Sequence, residues 1–457
     1  MKYLLTSLLI SFFTCSILAK EYHIHSAEEL TALSLHAGDR VVMIGKKWTD
    51  QKIIFKGEGT ESSPILLTAA HPGQLSLGGS SNLIIDGKWL IVDGLSFHGG
   101  YTLKEHVISF TERSENCRLT NTAIVDYDNP DKSMRNSWIV LYGFQNRVDH
   151  CFIAGKTHLG TTIGIYVSDK PNYHRIDHNY FAGRPPLGRN GGEIIRMGTD
   201  QWSMHDSFTT VEDNVFVHCD GEIEIISNKS TNNTIRNNLF YESKGMLTLR
   251  HGNKANVYGN YFIGNQKPGT GGIRIIGEEH RIHNNYFQGL TGTGLNATIT
   301  FMNAWENPPL HGYWQVKNTE VRHNTIIDCT EPIVVGSGKN EQTFLPPIHN
   351  IIANNMIIAK TAQVITWLET RAKNPDNIRF EKNIVSLPPH IAADSYPPGV
   401  HVQDPLLRLN NWGLLQHSKK TPKDIGNTPL SSTQEALFKT DGIGPSWKRP
   451  GIKLTVQ

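Results

Sequence analysis

Two carboxylates, a lysine, an arginine and a histidine recur within one short part of this chain. Glu222 and Glu224 alternate with isoleucine, Lys229 follows, and Arg250 with His251 comes one repeat later. Two carboxylates on one face repel each other unless a cation lies between them, and Ca²⁺ prefers oxygen ligands of this kind. A lysine acts as a base only in its neutral form, which a nearby arginine or bound cation favours. The residue types therefore indicate a hard cation combined with proton transfer.

A simpler interpretation is a solvated charged face with ordinary cross-strand salt bridges, each of which contributes little. Neighbouring repeats add to the cluster, because Asn190 supplies an amide oxygen upstream and Arg274 a second guanidinium downstream. Spacing alone leaves both interpretations open.

The elements that must position these side chains are short repeats, each marked by Asn followed by two apolar or aromatic residues. The steps between strong copies are 24 residues (214 to 238), 22 (238 to 260) and 25 (260 to 285), a solenoid period with loop insertions. Apolar and polar residues alternate within the repeats, which indicates β-strands. We therefore predict an all-β parallel solenoid in which the recurring Asn side chains stack in an internal ladder.

Stacking also predicts a register. Superposing the repeats of Asn214 and Asn238 places Glu222 opposite Met246. Period-two alternation directs Ile223 and Ile225 into the coil. The carboxylate of Glu222 then faces outward, as does that of the next glutamate in the strand.

Both ends of the chain carry signals of their own. Lys2 and an interrupted apolar run predict a signal peptide over residues 1–19, since the run is too short for a membrane span. Ser26 begins a capping-box pattern, which predicts a short helix to about residue 35 that covers the open first turn. We expect a single domain over 20–457, with repeats over about 85–385 and an irregular C-terminal cap over about 387–457.

Composition limits the remaining possibilities. A formal net charge of +2 over 457 residues indicates no particular partner, and we expect no nucleic acid, no membrane span and a monomer. Four widely spaced cysteines in the mature chain do not form a disulfide framework or a zinc motif, so we interpret them as small core residues. They are Cys117, Cys151, Cys219 and Cys329.

The string of Glu222, Glu224 and Lys229, followed by Arg250-His251-Gly252 and preceded by Asn190-Gly191-Gly192, resembles polysaccharide lyase family 6, the family of chondroitinase B and many alginate lyases. The resemblance extends over about residues 85–385. It implies a right-handed parallel β-helix that cleaves a uronate-containing polysaccharide by β-elimination, and a secreted or periplasmic location agrees with the signal peptide.

The resemblance also implies roles for individual residues. Because some family members work without calcium, it leaves the requirement for Ca²⁺ open. Because guanidinium holds its proton tightly, His251 or a water oriented by Arg250 stays an alternative proton donor. The implied roles are calcium ligands at Asn190, Glu222 and Glu224, a base at Lys229, an acid at Arg250, and sugar-binding residues at His251 and Arg274.

The expected substrate is an acidic polysaccharide. The form Gly272-Ile273-Arg274 resembles alginate-cleaving members more than chondroitinase B, so alginate comes first. Dermatan sulfate would need extra cations, which Arg184 and Arg189 could supply. A polygalacturonase-type hydrolase would need paired acids, for which Asp220 is the close candidate. A non-catalytic glycan-binding solenoid could dispense with the lysine.

Overall fold

The computed structural model describes residues 18–393, 395–422, 424–448 and 454–456. Most of these residues form a parallel β-helix, as predicted from the repeats. Three long sheets run along the coil, and most turns of the coil contribute one strand to each sheet. Nearly all of the predicted signal peptide lies outside the described residues. No helix among the described residues is long and apolar enough to cross a membrane.

Sheet 1 has 14 strands. They are Glu21–Ile24, Arg40–Met43, Ile65–Ala69, Leu90–Asp93, Arg118–Thr120, Arg147–Asp149, Arg175–Asp177, Thr210–Glu212, Thr234–Arg236, Asn256–Tyr258, Arg281–His283, Glu320–Arg322, Asn350–Ala353 and Ile378–Glu381.

Sheet 2 has 12 strands. They are Lys52–Glu58, Asn82–Lys88, Ile108–Phe110, Ile139–Leu141, Ile163–Ile165, Ile195–Met197, Glu224–Lys229, Gly245–His251, Thr270–Ile275, Ile299–Met302, Ile333–Ser337 and Ile365–Trp367.

Sheet 3 has 14 strands. They are Lys47–Thr49, Ser76–Gly79, Ser96–Gly100, Ala123–Val125, Phe152–Ala154, Tyr180–Arg184, Val215–Cys219, Leu239–Tyr241, Tyr261–Ile263, Tyr286–Gln288, Thr325–Ile327, Met356–Ile358, Asn383–Ser386 and Val400–Val402.

The predicted Asn ladder is present at the corner between sheets 1 and 3. The side-chain amide of each member donates to the side-chain oxygen of the next, at 2.9 to 3.0 Å. These bonds satisfy buried polar groups along the coil axis. The ladder consists of Asn179, Asn214, Asn238, Asn260, Asn285, Asn324, Asn355 and Asn383.

The coil begins well before residue 85, since the strand Glu21–Ile24 already belongs to it. The first turns lack the Asn signature, which is why the repeats did not reveal them. A helix over Ala27–Thr31, shorter than predicted, packs against Lys52–Glu58, the terminal strand of sheet 2. The Ser26 hydroxyl accepts the Glu29 N–H at 3.2 Å, the first half of the predicted capping box.

The carboxyl-terminal segment is mostly irregular, and it extends back along the coil. It contains a two-stranded antiparallel hairpin, which is followed by a helix. Leu437 and Phe438 of that helix pack on outward residues of sheet 3, including Tyr261. The segment therefore covers the outer face of sheet 3 and leaves sheet 2 open. The hairpin pairs Arg408–Leu409 with Leu415–Gln416, and the helix spans Ser432–Lys439. Two 3-10 turns, Gly294–Asn296 and Thr370–Lys373, lie earlier in the chain, between strands of the coil.

The four cysteines are buried and free, as predicted.

Candidate active site

A cleft of about 700 Å³ opens on sheet 2. The ends of the strands Glu224–Lys229 and Gly245–His251 form its floor, because stacking places like positions of neighbouring turns side by side. All seven residues predicted for the site line this cleft: Asn190, Glu222, Glu224, Lys229, Arg250, His251 and Arg274.

The predicted register is wrong by two residues at this point. Met246 pairs with Glu224, whereas the repeats placed it opposite Glu222. The cause is the connection before the strand, which is two residues longer from Asp220 to Glu224 than the matching connection from Lys244 to Met246. A register shift between Glu224 and Ile226 leaves Ile225 and Ile226 both buried, and Ile223 is half-exposed in the cleft wall, not in the core.

Three carboxylates form an acidic trio: Glu193, Glu222 and Glu224. One oxygen from each lies within 4.8 Å of the others. Burial, followed by the negative charges of Glu193 and Glu224, raises the pKa of Glu222 to about 7. The Glu193 Oε2 atom is buried and has no hydrogen-bond partner. An unpartnered carboxylate oxygen beside two others fits a hard divalent cation such as Ca²⁺.

The loop that carries Asn190 also supports the trio. Asn190 is exposed at the rim of the cleft. The next residue, Gly191, has φ of 106°, and its N–H donates to Glu222 Oε2 at 2.9 Å. A Cβ there would lie 2.5 Å from the Leu159 side chain, so the turn requires glycine.

Arg184 holds this loop from beneath. Its side chain is 2% exposed, and burial lowers the pKa of its guanidinium to about 10. A buried guanidinium that binds only neutral oxygens adds positive charge close to the trio. It donates five hydrogen bonds of 2.7 to 3.4 Å, to Thr162 Oγ1 and to the carbonyl oxygens of His158, Gly160, Gly191 and Glu193.

Arg274 lies on the strand that follows, and it pairs with the trio. Its guanidinium is 4% exposed and donates to Glu224 Oε1. The Nε atom of Arg274 is buried without a partner. Part of its charge is therefore committed to Glu224, and it is not a fully free cation for a sugar.

Lys229 and His251 share one carboxylate, which the sequence analysis missed. Asp200 Oδ1 lies 3.5 Å from Lys229 Nζ and 3.3 Å from His251 Nε2. Burial, followed by the charges of Arg250 and Lys229, lowers the pKa of His251 to about 3. The ring is thus neutral at neutral pH and cannot serve as an imidazolium acid.

Arg250 is held by a loop from later in the chain. Its guanidinium donates to the carbonyl oxygens of His311 and Gly312, both at 3.2 Å. It also lies 4.4 Å from the centroid of the Tyr313 ring, a cation–π contact. These contacts fix the guanidinium at the mouth of the cleft beside His251, whose Nδ1 lies 3.3 Å away.

The charges that line the cleft are balanced. Leaving histidine neutral, it has four acidic and four basic residues, so a polyanion gains no net attraction from it. A divalent cation on the trio would change that balance. The charged residues are Asp200, Asp220, Glu222 and Glu224 against Arg189, Lys229, Arg250 and Arg274.

A stacked coil of three parallel sheets defines the class, that of parallel β-helix proteins. The chain belongs to polysaccharide lyase family 6, because the family model described as chondroitinase B matches residues 24–428 and similar solved structures carry that family's name.

Three solved structures illustrate the similarity. The PL6 family alginate lyase AlyGC is 36% identical with a TM-score of 0.87, over 95% of this chain and 59% of AlyGC. A mannuronic acid-specific family 6 lyase from human gut microbiota is 30% identical with a TM-score of 0.79, over 94% and 97%. The family 6 lyase Pedsa3628 from Pseudopedobacter saltans is 27% identical with a TM-score of 0.75, over 94% and 100%. The chain thus spans 59% of the length of AlyGC. Among curated proteins no sequence matches significantly.

Proposed function

We propose that the protein is a polysaccharide lyase that cleaves alginate by β-elimination. The observation that carries the proposal is the single cleft in which Lys229, Arg250 and the acidic trio meet. The choice of alginate as substrate is supported by the similarity to AlyGC, described as an alginate lyase, and to the mannuronic acid-specific lyase. We further propose that residues 1–19 are a signal peptide and that the mature protein is secreted or periplasmic.

Elimination needs a base at C5 of the uronate. The neutral amine of Lys229 takes the C5 proton, the electron pair forms the C4–C5 double bond, and the C4–O bond breaks. Arg250 lies at the adjoining strand end, since Lys229 pairs with His251, the residue that follows Arg250.

The charge that develops on the substrate carboxylate must be neutralised. We assign a calcium site to Glu193, Glu222 and Glu224, with Asn190 at the rim. Calcium would supply electrostatic stabilisation of that carboxylate. Arg274 steadies Glu224 from the following turn.

The leaving oxygen needs a proton. The low pKa of His251 supports a donor other than its imidazolium. Arg250, fixed by two carbonyl oxygens and Tyr313, delivers the proton either directly or through a water that it orients.

Dermatan sulfate is the weaker substrate candidate. Arg184, one of two arginines expected to supply a sulfate site, is buried and bonded to five protein oxygens. Arg189 is exposed and lines the cleft. One extra cation is a poor match for a chain that carries a sulfate on each repeat.

The test is an assay of the purified protein on mannuronate-rich alginate, guluronate-rich alginate, dermatan sulfate and polygalacturonate. Ultraviolet absorbance of the new double bond on alginate supports the proposal. New reducing ends without that absorbance indicate a hydrolase, and binding without cleavage indicates a glycan-binding solenoid. Cleavage of dermatan sulfate alone would overturn the substrate and leave the elimination mechanism in place.

A further inference from the structure

A second cavity, of about 920 Å³, lies beside the active-site cleft on the same sheet. The two cavities share one wall. Asp200 lines the cleft, whereas its neighbours Thr199, Gln201 and Trp202 line the second cavity. A chain that leaves the cleft in the direction of the earlier turns therefore enters this cavity.

The strand register gives the distance between the two places. Ile165 pairs with Met197, and Met197 pairs with Asn228, the residue before Lys229. Tyr166, which follows Ile165, is thus two strands from Lys229, or about 10 Å along the coil axis. That distance is longer than one pyranose ring. Sugar units at this cavity are therefore not the ones that react.

Aromatic side chains form part of the cavity wall. The rings of Tyr142 and Tyr166 stack with centroids 4.5 Å apart and planes 12° apart. The Arg196 guanidinium carbon lies 5.9 Å from the Tyr166 centroid on the next strand. Stacking on both neighbours makes these rings a rigid surface that keeps a half-exposed edge.

The charges of this cavity are balanced too. Its lining has three acidic and three basic residues, of which Lys88 and Glu115 pair at 2.7 Å. Attraction of a polyanion by net charge is therefore weak here. The rings, the phenol hydroxyls, the Trp202 indole and the Lys170 ammonium are suited instead to the apolar faces, hydroxyls and occasional carboxylate of a uronate chain.

We propose that the cavity lined by Tyr142, Tyr166 and Trp202 binds sugar units of the substrate chain that lie two or more residues from the bond cleaved, on the side of the earlier turns. The inference rests on the proposed function. It predicts that the protein prefers long uronate chains, since short ones cannot reach both the base and the aromatic stack.

The test compares kcat/KM on alginate polymer with kcat/KM on alginate trisaccharide. Tyr166→Ala should lower the polymer-to-trisaccharide ratio by about fivefold to tenfold, the scale of an aromatic contact. Tyr166→Phe should keep most of the ratio if the ring dominates and lose it if the hydroxyl does. Tyr101→Ala is the matched control, because this exposed tyrosine lines neither cavity. A ratio within twofold of wild type for both Tyr142→Ala and Tyr166→Ala, with unchanged melting temperature, would overturn the inference.

A binding arm separates this inference from the lyase proposal. In the Lys229→Ala background, the affinity for intact alginate is measured by gel retardation with and without Tyr166→Ala. Weaker retardation in the double variant supports the cavity as a sugar site, even for a protein that proves unable to cleave alginate. Equal retardation counts against it, whatever the wild-type activity.

Discussion

The Asn corner and the cleft on sheet 2 are built by the same stacking but differ in regularity. At the corner, each ladder amide donates to its neighbour at 2.9 to 3.0 Å, turn after turn. At the cleft the strands shift register, and Glu193 Oε2 and Arg274 Nε are buried without partners. The regular region satisfies its own polar groups, whereas the irregular one leaves groups free for a ligand.

The difference indicates that the two regions of the coil have different roles, one structural and one in ligand binding. The ladder fixes adjacent turns, so that side chains distant in sequence stay close in space. The cleft holds the three carboxylates of the trio together, and Arg274 relieves their repulsion only in part, because it pairs with Glu224.

The largest expected effect separates chemistry from scaffold. Lys229→Ala should lower activity about 100-fold or more, because a positioned general base contributes at least that much. The melting temperature should stay unchanged, since the ion pair of its ammonium among the described residues is a long one, 3.5 Å, to the exposed Asp200. Lys254→Ala, a matched exposed lysine on the next turn, should leave activity intact. Retention of more than about a tenth of wild-type activity by Lys229→Ala would contradict its role as base.

The next effect tests the cation. Chelator should remove most activity from the wild type, and added Ca²⁺ should restore it. Glu222→Gln and Glu224→Gln should each lower activity about 10-fold to 100-fold and lose the response to chelator, as is common at metal sites. If the wild type stays fully active in chelator, the calcium assignment fails. Glu224 would then act by holding Arg274 in place.

The sequence predicted the coil because the Asn pattern repeats. It also predicted that seven side chains lie close together, because residues one repeat apart are neighbours in stacked turns. It missed the register because the two extra residues before Glu224 lie in a connection that carries no part of the Asn pattern. Glu193 could have been predicted from the sequence. Ile195 pairs with Ile226, and Glu193 and Glu224 each lie two residues before these partners. Asp200 and Tyr313 come from loops whose paths no repeat predicts.

The contribution of the Asn ladder to stability can be tested separately. Asn238→Ala removes amide bonds to Asn260 and to two carbonyl oxygens, and leaves buried groups unpaired. We expect a loss of about 2–4 kcal/mol in the free energy of unfolding, measured by denaturant titration. Activity well below the transition should stay near wild type. Asn256→Ala, which loses a single contact with His283, is the control and should cost under about 1 kcal/mol. Equal losses in the two variants would show that the ladder has no special role.

The smallest effect links the trio to pH. The pKa of Glu222 is about 7 in the folded protein and 4.5 in its ordinary state, so folding favours the protonated carboxyl. The stability that this proton confers is complete below about pH 4.5 and is lost as pH rises through about 7. The melting temperature of metal-free protein should therefore fall between about pH 5 and pH 8, by roughly 2 °C.

Glu222→Gln, which cannot ionise, should show a smaller fall over the same range. Ca²⁺ added at the upper end should raise the melting temperature of the wild type more than that of the variant, because a cation relieves the repulsion among Glu193, Glu222 and Glu224. Parallel curves for the two proteins, with and without Ca²⁺, would mean that the three carboxylates do not share their charge, and the cleft would then be no more strained than the Asn corner.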